Sequence, residues 1–198
     1  MTSGTYILGL TGSIGMGKST TANFFRDAGV PVWDADAAVH ALYSKGGAGA
    51  QAIATLAPDS VKEGEVNRGA LRKAILDDKT LLKRIEVAVH PLVASDRKKF
   101  LASNADESLV VCDVPLLFET SSEAWLDGVL IVTADKNTQN QRVMDREGMT
   151  AEMFETMLSK QTPDSEKRRK ADFLIDTGKG MDHARAEVLS LIERIKDR

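Results

Sequence analysis

Short apolar runs bounded by turn residues alternate along this chain with stretches whose apolar positions return every three or four residues. The runs Tyr6–Leu10, Val30–Trp33, Leu109–Asp113, Gly128–Thr133 and Phe173–Asp176 read as buried parallel strands. Helical spacing predicts Lys18–Ala28, Ala37–Tyr43, Ala70–Leu76, Lys79–Leu101, Thr138–Arg146, Ala151–Gln161 and Asp182–Lys196. Strands alternating with helices predict an α/β fold around a parallel five-stranded sheet with right-handed crossovers. Ligands of such sheets bind at the carboxyl ends of the strands, so the segments that follow the first three strands are expected to converge.

The spacing of the strands is uneven. Between Ser44 and Ser108 the pattern offers helices and the glycine-rich connector Lys45-Gly46-Gly47-Ala48-Gly49, and no convincing strand. This predicts a helical insertion over 45–108, hinged at those glycines, within a core of 1–44 and 109–198. A surface loop followed by ordinary covering helices has the same pattern. A second excursion, Arg142 to Lys170, is polar, basic in places and methionine-bearing, and reads as a mobile lid.

The first strand leads into Gly12-Ser13-Ile14-Gly15-Met16-Gly17-Lys18-Ser19, which fits the phosphate-binding pattern G-x-x-x-x-G-K-[ST]. Strand before and helix after are the context this pattern requires. Glycines let backbone N–H groups turn inward onto phosphate oxygens, and the helix N-terminus adds its positive dipole end. Lys18 then serves the outer phosphates and Ser19 a Mg²⁺ ion. The spacing does not fit the dinucleotide fingerprint G-x-G-x-x-G.

Acids follow the next two strands. Asp34 and Asp36 precede a helix that either could cap, and two acids two residues apart favour a division of labour between capping and the pocket. A carboxylate beside a transferring phosphoryl group suits deprotonation of an acceptor hydroxyl. Asp113 stands where a metal-holding acid follows a buried strand, a position equally open to local turn bonds. Glu119, in the loop beyond Pro115, reads as a solvated acid or a substrate contact. Arg142 and Arg146 lie four apart and would share a helical face, either as paired guanidiniums on a lid or as surface charges. One member of the run 167–170 could reach the nucleotide while the rest face water. His90-Pro91 predicts a helix break, with His90 as its polar cap.

Composition narrows the classes. The chain has 198 residues, 28% of them charged, with a formal net charge of −3, which predicts neither a nucleic-acid nor a membrane-adhesive surface. The single cysteine, Cys112, excludes an internal disulfide and suits a reducing compartment. No leader pattern and no bilayer-length apolar stretch are seen, which predicts a cytoplasmic protein. A monomer or weak homo-oligomer is expected, though no pattern in the sequence sets the oligomeric state. Ala134-Asp135-Lys136-Asn137 lacks the guanine-reading Asn-Lys-x-Asp of a GTPase switch.

Taken in order, Leu10 to Thr20, Asp34-Ala35-Asp36 with His40, Asn67-Arg68, His90-Pro91-Leu92, Val114 to Glu119, Gln141-Arg142 with Arg146, Gln161, Ala171-Asp172 and Ile175-Asp176 resemble the dephospho-CoA kinase family over nearly the whole chain. The resemblance implies a P-loop NTPase three-layer fold with a helical substrate-binding insertion and a lid. It implies transfer of phosphate from ATP to the ribose 3′-hydroxyl of dephospho-CoA, with Mg²⁺. Carried over by position, Asp36 is the expected base, and Lys18 and Arg142 are the expected charge stabilisers. Gly12 to Thr20 and Arg146 are expected on ATP, Arg68, His90, Pro91 and Leu117 on the acceptor, and Ser19 and Asp113 on the metal. Ser13 and Met16 replace the family's usual glycine and serine, and Thr177 stands where asparagine commonly follows Ile-Asp.

Overall fold

Seven strands and nine α-helices make up the computed structural model, which describes residues 4–120 and 122–198. They run β1 (Tyr6–Thr11), α1 (Lys18–Asp27), β2 (Val32–Asp34), α2 (Ala35–Tyr43), α3 (Ala48–Leu56), β3 (Val61–Lys62), β4 (Glu65–Val66), α4 (Arg68–Asp77) and α5 (Leu81–Ser103). Then come β5 (Leu109–Asp113), β6 (Gly128–Thr133), α6 (Lys136–Met144), α7 (Ala151–Ser159), α8 (Asp164–Arg169), β7 (Phe173–Asp176) and α9 (Met181–Lys196). The five strands expected from the sequence form one sheet in the order β2-β5-β1-β6-β7. β1 pairs in parallel with both β5 and β6, and β6 with β7.

The chain divides into two compact units, one up to Trp33 together with Asn104–Arg198, the other Asp34–Ser103. The second opens at Asp34, where the sequence pattern opened an insertion at residue 45. In the first unit, alternate positions of the central strands feed different layers, as the two-residue period of a strand dictates. Leu8, Leu10, Leu109, Val111, Leu130, Val132, Phe173 and Ile175 pack with Phe24 and Phe25 of α1 and with Val188, Leu191 and Ile192 of α9. Val129 and Ile131 point the other way, onto Leu117 and Phe118. Three layers result, with the central strands covered on both faces.

The second unit closes its own core from Ala50, Ile53, Val66, Leu71, Leu81, Ile85 and Val89. Here the structure corrects three expectations. β3 and β4 form an antiparallel hairpin in a span expected to hold no strand. Its turn is Glu63 and Gly64, both left-handed at φ 51° and 81°, as a two-residue turn requires, while the strands are too short to show a period. α3 begins inside the glycine-rich connector. A Cβ on Gly47 would come within 2.3 Å of the Leu42 carbonyl oxygen, so that glycine allows close helix approach and does not act as a free hinge. Finally, α5 runs unbroken through Pro91. Pro91 costs the helix the bond to the Val87 carbonyl, and Val87 is 69% exposed, so water can take that bond.

Candidate active site

The phosphate loop is built by its neighbours as much as by its own glycines. Gly15 and Gly17 hold φ of 79° and 86°, and Gly17 is the N-cap of α1. No side chain caps α1 and no acid lies in its first turn, so its leading N–H groups and dipole end are available to an anion. Ser19 and Thr20 are exposed in that first turn. Two glutamines fix the loop from the side. Gln139 Nε2 donates to the Ile14 carbonyl at 2.8 Å, and the Ile14 N–H donates to Gln161 Oε1 at 3.2 Å. Met16 is buried, and its sulfur accepts the Ala134 N–H at 3.0 Å. The methionine that replaces the usual serine is therefore a core side chain anchoring the loop to the end of β6.

Lys18 reaches across to β5. Its Nζ lies 2.5 Å from Asp113 Oδ1, and the Asp113 side chain is 3% exposed. β1 and β5 are in register from Tyr6↔Leu109 to Leu10↔Asp113, so the adjacent carboxyl ends bring the loop lysine and the strand-end acid together as the topology predicts. Arg142 joins them in the same unit. Its Nη1 donates to Thr177 Oγ1 and its Nη2 to the Thr177 carbonyl, each at 2.8 Å.

In the second unit, the roles of the paired acids separate. Asp34 Oδ1 accepts the Ala37 N–H at 2.9 Å and so caps α2. Asp36 lies exposed in the first turn, and its side chain has no hydrogen-bond partner among the described residues. One turn on, His40 Nδ1 lies 3.1 Å from Arg68 Nη2. An arginine only donates, so Nδ1 must accept, which leaves the proton of a neutral imidazole on Nε2. Burial raises the nearby Tyr43 hydroxyl above its ordinary pKa, and the Arg68 charge opposes that shift.

A family model described as dephospho-CoA kinase matches residues 6–182. A dephospho-CoA kinase of Mesorhizobium japonicum is 51% identical over 192 residues, covering 96% of each chain. One from Cereibacter sphaeroides is 53% identical over 190 residues, covering 96% of this chain and 95% of that one. The chain belongs to the dephospho-CoA kinase family. It is an enzyme that phosphorylates the ribose 3′-hydroxyl of dephospho-CoA with ATP, giving CoA and ADP. A crystal structure of a Thermus thermophilus protein superimposes with a TM-score of 0.80 at 32% identity, covering 96% of this chain and 97% of that one. The α/β P-loop kinase fold is shared with a dephospho-CoA kinase from Campylobacter jejuni, which superimposes with a TM-score of 0.70 at 22% identity, covering 98% of this chain and 99% of that one.

The remaining candidate residues have other local settings. α6 ends at Met144, capped by Asp145, and the Arg146 N–H bonds back to the Val143 carbonyl at 3.2 Å. That tightened last turn puts exposed Arg146 beyond the helix, so it does not share a helical face with Arg142. Leu117 is 0% exposed and packs with Phe118, Val129 and Ile131, so its side chain belongs to the core. His90 and Pro91 are exposed in the middle of α5, and His90 caps no break.

Side-chain contacts tie the excursion from Arg142 to Lys170, expected as a lid, to the rest of its unit. Lys167 is fully buried, with Nζ 3.0 Å from Glu119 Oε1, in an ionic contact not aligned as a hydrogen bond. Thr162 N–H donates to the same carboxylate oxygen at 2.7 Å, and Thr133 Oγ1 donates to Asp164 Oδ2 at 2.9 Å. Burial alone would raise the Glu119 carboxyl. Hydrogen bonds from Thr162 and from its own backbone, with the Lys167 charge, outweigh burial and hold it below the usual carboxylate range. Glu119 is thus a structural partner, not a solvated loop acid. No local pattern announces this pair, because Lys167 sits in a basic run that looks like surface. Gln139 was missed too, although it lies four residues before Val143 on the buried side of α6.

Proposed function

We propose that Asp36 is the general base of the dephospho-CoA kinase reaction. The observation that carries this is the division of labour on α2, where Asp34 does the capping and leaves the Asp36 carboxylate unengaged. In the transfer, the ribose 3′-oxygen bonds to the γ-phosphorus of ATP and the bond to the bridging β–γ oxygen breaks. ADP leaves, and the hydroxyl proton passes to the Asp36 carboxylate. The leading N–H groups of α1 hold the phosphates, and Lys18 and Arg142 meet the charge that spreads over the phosphoryl oxygens. Lys18 is paired with Asp113, which holds its ammonium beside the loop.

Ser19 Oγ and the Asp113 carboxylate are hard oxygen donors suited to Mg²⁺, which would neutralise phosphate charge. No group of three or more His, Cys, Asp or Glu that could hold a metal exists among the described residues. An Mg²⁺ ion held there would draw most of its ligands from phosphate and water. The unit Asp34–Ser103 is the proposed acceptor-binding part, with Arg68, His90 and Pro91 as contacts. Cytoplasmic work accords with the single, buried cysteine Cys112. No described helix is long and apolar enough to cross a membrane.

Comparing Asp36→Asn with Asp34→Asn tests the base. Asp36→Asn should lower kcat by about 10²–10⁴ while ATP affinity, read by calorimetry, stays close to the parent. Asp34→Asn should keep most activity, because asparagine caps a helix about as well as aspartate. Crippled turnover in Asp34→Asn with an active Asp36→Asn would reverse the assignment.

A further inference from the structure

Thr177 occupies a junction that the reaction chemistry does not by itself assign. It is 6% exposed and follows the last residue of β7. Its hydroxyl has one proton and two lone pairs, and three polar partners share them. The Met16 carbonyl lies 2.9 Å from Oγ1 and the Thr133 carbonyl 3.2 Å, so the single proton is shared between the phosphate loop and the end of β6. A lone pair accepts Arg142 Nη1, and the Thr177 carbonyl takes Nη2. Two of the guanidinium donors are thereby engaged on one residue, and the remaining ones are left for phosphate oxygens. The residue next to Met16 is equally constrained, since a Cβ on Gly17 would come within 2.9 Å of Thr177 Oγ1.

We infer that Thr177 is a positioning residue of the kinase, setting the phosphate loop and the Arg142 guanidinium in one fixed relation before ATP binds. Its hydroxyl bonds both partners at once, the loop through the Met16 carbonyl and the guanidinium through Nη1. A guanidinium pre-set in this way does not have to be oriented during phosphoryl transfer, which is where preorganised charge lowers the barrier. The side chain touches no reacting atom in this role and acts through Arg142 and the Met16 carbonyl. The inference rests on the reading of Arg142 as a charge stabiliser.

Thr177→Val keeps the shape and removes all three hydroxyl bonds, whereas Thr177→Ser keeps the hydroxyl. Steady-state kinetics of the full chain should show kcat for Thr177→Val lowered about ten- to a hundredfold, the scale of a lost bond to a charged group. KM for dephospho-CoA should stay within about twofold, and Thr177→Ser should recover most of the loss. In an Arg142→Ala background the valine substitution should change kcat by less than about twofold, because its partner is gone. Wild-type turnover in Thr177→Val overturns the inference. So does a loss that persists undiminished in the Arg142→Ala background, which marks a structural role alone. Full turnover in Arg142→Ala with the wild-type threonine overturns instead the reading of Arg142, and the inference falls with it. If melting curves show Thr177→Val unfolded, Thr177→Ala against Thr177→Ser makes the same comparison, and the same outcomes support or overturn the inference.

Discussion

At the scale of single residues, the charges that matter most are those withdrawn from water. Lys167 is fully buried against Glu119, and removing one partner of such a pair strands the other. Lys167→Met should therefore lower unfolding free energy by about 3–5 kcal/mol, read from urea denaturation. A cost below about 1 kcal/mol, the level of an exposed pair, would show that the pair is solvated. Glu119 also carries a pH signature. Its folded carboxyl is held below the ordinary value of about 4.3, so its stabilisation is complete above that pH. It is lost as pH falls through the depressed folded value. Glu119→Gln should flatten the dependence of the urea midpoint on pH in that acid range, and an unchanged slope would contradict the assignment. Nothing in the sequence marks the two residues as partners. A buried pair is recognisable only when both partners are placed, and here α8 and the loop after β5 supply one each.

At the scale of elements, strands were easier to locate from the sequence than helix ends. β5, β6 and β7 lie where the apolar runs put them. β5 and β6 are buried on both faces and so are continuous apolar runs with clear edges, while β7 is an edge strand with Leu174 exposed. Helix ends depend on caps and on tertiary packing, so α6 stops before Arg146 and α3 starts among glycines. α8 escaped notice because a short polar helix has no apolar stripe to read. Pro91 inside α5 is a local rule broken at a residue proposed to meet the acceptor, the kind of place where function is expected to override stability. Pro91→Ala should raise stability by up to about 3 kcal/mol and raise KM for dephospho-CoA with little change in kcat. A higher melting temperature with unaltered KM would remove Pro91 from the acceptor site. The candidate site was legible to a similar degree. The loop, Lys18 and Asp113 follow from pattern and topology, whereas the supports from Gln139, Gln161 and Thr177 come from distant segments with no spacing rule.

At the scale of the whole molecule, donor and acceptor chemistry follow from different parts of the chain. The phosphate loop on α1 and its companion Asp113 specify a nucleoside triphosphate and are common to many kinases of this fold. The ordered motifs that include Asp36, Arg68 and His90-Pro91 carry the resemblance to dephospho-CoA kinases, and the chain is similar to such a kinase across 96% of its length. The most direct measurement is turnover by the purified protein with ATP and Mg²⁺ against dephospho-CoA, adenosine, AMP and shikimate, with the phosphorylated position read by ³¹P NMR. Rapid formation of CoA phosphorylated at the ribose 3′ position is expected, with little product from the other three. No turnover of dephospho-CoA above background, or preference for any of the other acceptors, would contradict that assignment.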